Sequence, residues 1–270
     1  MGDYEGLREK YSPIGSPLRL LQEKMMEEVL FLDGVCKAHG LTYFLTGGSA
    51  LGAVRHHGFI PWDDDMDIAL PRKDYEKLVE ILHQLDSDCY VLHDRHTDFN
   101  YINGFPKFRE KEGNLLGAFP QRGKLYKYKG VGVDIFCVDK NSYARAFVCA
   151  KLRVALLHLL YKIRNEKLRK AVTRVNWAIY QCLVPLTWPL NVFRKKGEIH
   201  YGLGQGFYKH YMQESEVFPV RLTDFESERL PVPNNGDAFL TRIYGNWRQV
   251  PPEEEIAKTV HNRELLTEKK

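Results

Sequence analysis

The chain has 270 residues, 44% apolar and 27% charged, a length and composition that can bury a sizeable core and that exclude disordered or low-complexity function. Its 39 basic and 35 acidic side chains leave a formal charge of +4, the difference of the two, which gives no footprint for a nucleic-acid partner. Cys36, Cys89, Cys137, Cys149 and Cys182 lack metal-type spacing, and Met1 to Lys10 carries Asp3, Glu5 and Glu9 with no apolar run, so the thiols read as reduced and the protein as cytoplasmic, without a signal peptide.

In chain order, Ser16-Pro17 is a helix start, with Ser16 as cap and Pro17 in the first turn. Leu18, Leu21, Met25, Val29, Leu32 and Cys36 follow at helical spacing to a stop at His39-Gly40, which makes a core-packing helix. Thr42-Tyr43-Phe44-Leu45 is the first strand, and a short helix is expected over 49–57, closed by Gly58.

The stretch from Gly47 to Leu70 joins a glycine-rich turn to four aspartates, Asp63, Asp64, Asp65 and Asp67. If Asp65 to Leu70 is a strand, its alternation sends Asp65 and Asp67 to one face and Met66 and Ile68 into the core. Paired carboxylates are hard ligands for Mg2+ or Mn2+, commonly shared with substrate phosphates. Gly47 and Gly48 allow close backbone approach, and Ser49 is expected to cap the helix whose free N–H groups attract phosphate. Asp63 and Asp64 read as outer or structural groups. Arg55, with His56 and His57, sits at the far end of that helix, where it suits either a phosphate or the helix dipole.

A helix is expected through Tyr75, Leu78, Val79, Leu82 and Leu85, then strands over Cys89 to His93 and Tyr101 to Arg109. Lys107 and Arg109 alternate with Pro106 and Phe108, and either point together toward a phosphate or lie on the solvent face of an edge strand, since Pro106 favours an edge. Gly123 to Lys129 reads as a tyrosine-rich hairpin. Val131 to Val138 is an apolar strand interrupted by Asp134, and an acid there is costly to bury unless it is paired or bound to metal. Asp134 is therefore the third candidate ligand.

Residues 142–200 carry twelve Lys or Arg against Glu166 and Glu198, with apolar residues at helical spacing. Pro185 and Pro189 break the apolar run too often for a membrane span. The pattern suits either a basic amphipathic pair on an anionic leaflet or a helical subdomain packed on the core. Phe225 to Pro233 reads as strand and turn, Asp237 to Tyr244 as a helix stopped by Gly245, and the last ten residues as a fraying end.

Gly47-Gly48-Ser49-Ala50-Leu51-Gly52, followed by Arg55-His56-x-Gly58-Phe59-Ile60-Pro61-Trp62-Asp63-Asp64-Asp65-x-Asp67, resembles the signature of the LicD family, to which the fukutin-related proteins are similar. The resemblance is strongest over 42–74, extends through Asp134, and returns in Leu230-Pro231-Val232-Pro233 and Ile243-Tyr244-Gly245-x-Trp247. It implies an α+β nucleotidyltransferase-like fold, a small mixed sheet flanked by helices. The core would run over 1–141, a basic helical insertion over 142–200, and a closing segment over 201–270. The implied activity is transfer of phosphocholine from CDP-choline to a sugar hydroxyl of a glycan precursor of teichoic acid or lipopolysaccharide type, lipid-linked, with release of CMP. Alternatives are transfer of another phosphoalcohol such as ribitol phosphate, true nucleotidyl transfer, or an inactive binding module. Asp65, Asp67 and Asp134 would hold two Mg2+ or Mn2+ ions, and Gly47, Gly48, Ser49, Arg55 and Lys107 the donor phosphates. A trimethylammonium group asks for aromatic faces, and the candidates are Trp62, Tyr126 and Tyr128, with Phe105 and Phe119 nearby. The protein would work in the cytoplasm, with peripheral contact on the inner face of the membrane.

Overall fold

The computed structural model describes residues 4–115, 123–158, 163, 165–205 and 209–259. Helix α1 (Tyr4–Tyr11) precedes α2 (Pro17–His39), where the Ser16 hydroxyl accepts the Arg19 N–H and Gly40 closes the end in the left-handed conformation. Both caps sit where the sequence places them, because a hydroxyl satisfies a free N–H and glycine accepts positive φ at little cost. The sheet that α2 covers contains β1 (Phe44–Leu45), β2 (Asp67–Pro71), β5 (Gly132–Asp139), β4 (Lys107–Glu110) and β3 (Tyr90–His93) in that spatial order. Among the described residues only β2 and β5 pair in parallel. Helix α3 (Gly47–His56) links β1 to β2, and α4 (Arg72–His83) follows β2.

Several boundaries differ from the sequence reading. Asp65 lies before β2 rather than in it, so strand alternation does not set its direction. α3 begins two residues early, at Gly47, and ends on His57 in the left-handed conformation rather than on Gly58. Residues 123–129 form turns and no hairpin, while Phe119 falls outside the described residues. β4 is an interior strand between β5 and β3. Pro106 does not force an edge, because it stands just before the strand, where its carbonyl accepts the Ile135 N–H.

Two further helices, α5 (Tyr143–His158) and α6 (Glu166–Leu186), with a 3-10 turn at Trp188–Phe193, leave the sheet after β5. The chain returns as β6 (Glu198–Tyr201), which pairs with the far end of β5 and with β7 (Tyr211–Gln213). A short helix α7 (Glu214–Val217), a hairpin of β8 (Arg221–Phe225) and β9 (Glu228–Val232), then α8 (Gly236–Tyr244) and α9 (Glu253–Thr259) complete the order. Asn235 caps α8 through the Ala238 N–H. The core lies between α2 and the sheet: Phe108 stacks on Phe31 at 5.2 Å, with Ile68, Val133 and Ile135 wholly buried beside them. All five cysteines are free thiols.

Candidate active site

Strand register places the chemistry. Parallel pairing sets Asp67 opposite Asp134, and antiparallel pairing sets Asp134 opposite Lys107. Directly paired residues project to the same face of a sheet with Cβ atoms roughly 5 Å apart, so two carboxylates and an ammonium stand in one row. The alternate residues Ile68, Ile135 and Phe108 point into the core on the other face. Lys107 Nζ lies 2.9 Å from Asp134 Oδ1, an ion pair.

The N-terminus of α3 presses on this row. A Cβ on Gly47, at φ +54°, would lie 2.7 Å from Asp67 Oδ2, and a Cβ on Gly48 would lie 2.7 Å from Asp63 Oδ2. Glycine is thus required here by the carboxylates themselves. Ser49 does not cap: it sits inside the helix, and its Oγ accepts the Asp67 N–H at 2.8 Å. The cap position belongs to Thr46, whose hydroxyl is 2.6 Å from that of Tyr201 instead of bonding the helix. Ser49→Ala should leave the Asp67 N–H without its partner and cost about 1–3 kcal/mol of stability. Urea unfolding checks this, and an unchanged midpoint would remove Ser49 as the anchor of β2.

Burial, with the charges of Asp65 and Asp134, holds the Asp67 carboxyl well above the usual carboxylate range, against the pull of Lys107. Asp63 is raised in the same way by burial, by Asp65 and by Asp64, and Asp134 by burial despite Lys107. Asp63 stands with the acidic cluster, lining the same cavity with its Oδ2 against Gly48. Strand alternation could not reveal this, because Asp63 and Asp65 lie in the irregular segment before β2.

The row opens into a cavity of about 860 Å3, large enough for a small ligand. Gly47, Gly48, Arg55, Trp62, Asp65, Asp67, Lys107, Tyr126 and Asp134 all line it, so the structure brings together nearly every residue singled out in the sequence. Arg55 is largely occupied elsewhere, donating to the Trp247 and Gln249 carbonyls at 2.7 and 3.4 Å and to His56 Nε2. Trp62 is buried in the wall, edge-on to Tyr11 at 5.4 Å. Tyr128 packs its ring against His93 at 5.4 Å and does not line the cavity. Phe105, its ring tilted against that of Phe136 at 4.4 Å, does. Tyr244 and Trp247 add wall residues that the sequence motif marked but to which it assigned no role.

Residues 40–146 match the family described as LicD/FKTN/FKRP, nucleotidyltransferase domain. The chain is 25% identical to the lipopolysaccharide cholinephosphotransferase LicD of Haemophilus influenzae over 247 residues, covering 83% of this chain and 89% of that protein. It is 44% identical to the ribitol 5-phosphate transferase FKRP of Homo sapiens over 50 residues, 18% of this chain and 10% of that one. An uncharacterized protein of Rickettsia typhi is 44% identical over 114 residues, 36% of each chain. The matched segment holds α3, β2, β4 and β5, and with them the whole Asp67–Asp134–Lys107 row.

Whether this site suits a divalent cation turns on its donor set. Every candidate ligand is a carboxylate oxygen, and several half-buried like charges lie close together, the arrangement a hard cation relieves. Among the described residues, however, no group of three or more His, Cys, Asp or Glu converges closely enough to ligate one ion. The set thus fits an ion held by one or two carboxylates and completed by substrate phosphate, which is how Mg2+ is commonly bound.

Proposed function

We propose that this protein transfers phosphocholine from CDP-choline to a hydroxyl of a lipopolysaccharide-type glycan and releases CMP. The observation that carries the reading is the Asp67–Asp134–Lys107 row beneath the Gly47-Gly48 helix start, within a segment matched to a family whose relative over most of this chain is named a lipopolysaccharide cholinephosphotransferase. In the reaction, the acceptor oxygen forms a bond to the phosphorus that bears choline, and the bond from that phosphorus to the CMP oxygen breaks. The hydroxyl proton passes to a carboxylate, for which Asp134 is the candidate, because burial raises its proton affinity. Lys107 and the free N–H groups at Gly47 and Gly48 neutralise and position the phosphates, the main requirement of such transfer. Two Mg2+ or Mn2+ ions would each be held by one or two of Asp65, Asp67 and Asp134 and would supply charge neutralisation on the diphosphate. Of the predicted aromatics that line the cavity, Trp62 is buried in its wall, and Tyr126 is the candidate for the trimethylammonium group.

The test is product identity with the purified protein, a glycan acceptor and either CDP-choline or CDP-ribitol. CMP release with a choline-modified acceptor is expected. Pyrophosphate release would indicate nucleotidyl transfer, and preference for CDP-ribitol would overturn the choline assignment while leaving phosphoalcohol transfer intact.

The acceptor is proposed to be lipid-linked, met at an anionic leaflet by residues 142–200. Among the described residues no helix is long and apolar enough to cross a membrane. Leu186, Trp188, Val192 and Phe193 are exposed beside Arg194, Lys195 and Lys196, the mixture that favours interfacial contact. Reversing Lys167, Lys170, Lys195 and Lys196 to Glu should abolish sedimentation with phosphatidylglycerol vesicles, each cation contributing about 1 kcal/mol near such a surface. Binding unaffected by both reversal and salt would leave the helices as a packed subdomain.

A further inference from the structure

A second cavity, of about 260 Å3, lies between the β3–β4 connection and the α5–α6 pair. It is lined by Arg95, Phe99, Arg153, Arg174, Trp177 and Tyr180 among others, and among the described residues no carboxylate lines it. Tyr101, Ile102, Asn103 and Arg153 line this cavity and the main cleft alike, so the two share a wall. The Tyr180 ring belongs to the second cavity, and a Cβ on Gly204, in the main cleft, would meet its hydroxyl at 2.3 Å.

The chemistry of this cavity is the reverse of the acidic row. The Arg95 guanidinium stacks 3.5 Å over the Trp177 ring, and Arg174 lies 5.3 Å over Phe99. Stacking of this kind orients the planar forks that recognise phosphate in two-point fashion. Among the described residues neither arginine forms an ion pair with a carboxylate. Among the described residues, Trp177 Nε1 and the Tyr180 hydroxyl are buried without a hydrogen-bond partner, and Tyr180 is only 7% exposed. The indole N–H can only donate, so the missing partner is an acceptor, and buried polar groups without one are costly. Guanidinium groups, an unpaired indole donor and aromatic faces together describe a ligand that carries phosphate oxygens on a sugar ring.

We infer that this second cavity binds a phosphate-bearing sugar of the acceptor, which holds the glycan so that its reacting hydroxyl extends past the Tyr101–Asn103 wall into the main cleft. The inference rests on the transferase reading for the word acceptor, but its binding test does not. Calorimetric titration of the full chain, with no donor present, compares N-acetylglucosamine 1-phosphate, N-acetylglucosamine and inorganic phosphate. Saturable binding of the sugar phosphate is expected, at least tenfold tighter than either half alone. Arg95→Gln with Arg174→Gln should weaken it tenfold or more while the melting temperature and CDP-choline binding stay unchanged, and Arg95→Lys with Arg174→Lys should restore part of the loss.

Unchanged binding in the Gln double variant would overturn the proposal. So would loss of binding in Lys107→Gln instead, which would place the sugar phosphate in the main cleft. Equal binding of inorganic phosphate would remove the sugar from the assignment, and displacement by phosphatidylglycerol vesicles would reassign the cavity to a lipid headgroup. If arginine-dependent binding persists while no donor yields CMP, it is the transferase reading that fails, and the sugar-phosphate site stands.

Discussion

Asp67→Asn and Asp134→Asn should each reduce phosphocholine transfer by on the order of 10³-fold or more, as expected when one member of a group that acts as a unit is removed. Without divalent cations, the same variants should be at least as stable as the parent. A carboxyl whose folded pKa is raised favours the folded state below its unfolded value of about 4 and opposes it as pH climbs toward the folded value. Burial and the Asp65 carboxylate raise both groups, Asp134 against the pull of Lys107, so ionising either one works against folding, and a neutral amide removes that effect. Each kcal/mol so relieved corresponds to a rise in Tm of about 2–4 °C for a chain of this size. Mg2+ or Mn2+ should raise the Tm of the parent and leave that of Asp67→Asn nearly unmoved. Differential scanning calorimetry with and without the ion measures both effects. A variant that is less stable in the absence of metal, or equally stabilised by it, would mean that the carboxylates hold the fold rather than a cation. For Asp134→Asn the Lys107 ammonium loses its partner at 2.9 Å, so its gain should be the smaller of the two.

Gly47→Ala should damage both stability and activity, unlike an ordinary glycine replacement. The new Cβ would stand 2.7 Å from Asp67 Oδ2 on a residue whose φ is +54°. The left-handed conformation alone costs an L-residue about 1–2 kcal/mol, and the carboxylate must also move. A displacement on the order of 1 Å in a positioned group can cost about 10²-fold in rate. Gly34→Ala is the control: it lies within α2 with nothing within 4 Å of the added Cβ, and should raise stability by about 0.5–1 kcal/mol. Chemical unfolding and transfer assays on the two variants check the contrast. A Gly47→Ala protein that behaves like Gly34→Ala would show that the approach of α3 to Asp67 does not matter.

The sequence by itself determined the local devices whose physics is contained in a few neighbouring residues. The Ser16 cap, the Gly40 stop and the amphipathic face of α2 appear as expected, because each depends only on spacing along one helix. The glycine pair, the aspartate cluster and Asp134 were also legible, since isolated or crowded carboxylates in apolar strands are costly without a function. Only the tertiary structure decided which groups meet. Lys107 stands beside Asp134, and Asp134 beside Asp67, through strand register, a long-range property that a single-residue slip would reverse. Its interior place made β4 a core strand in spite of Pro106, and the same packing turned Ser49 from an expected cap into the acceptor for the Asp67 N–H. Asp63 joined the acidic cluster, and Tyr128 turned to His93, for the same reason: loops outside regular strands carry no periodicity from which direction can be read. The second cavity was hidden most completely, since Arg95, Arg174 and Trp177 come together only where two helices close over a loop from the opposite side of the sequence.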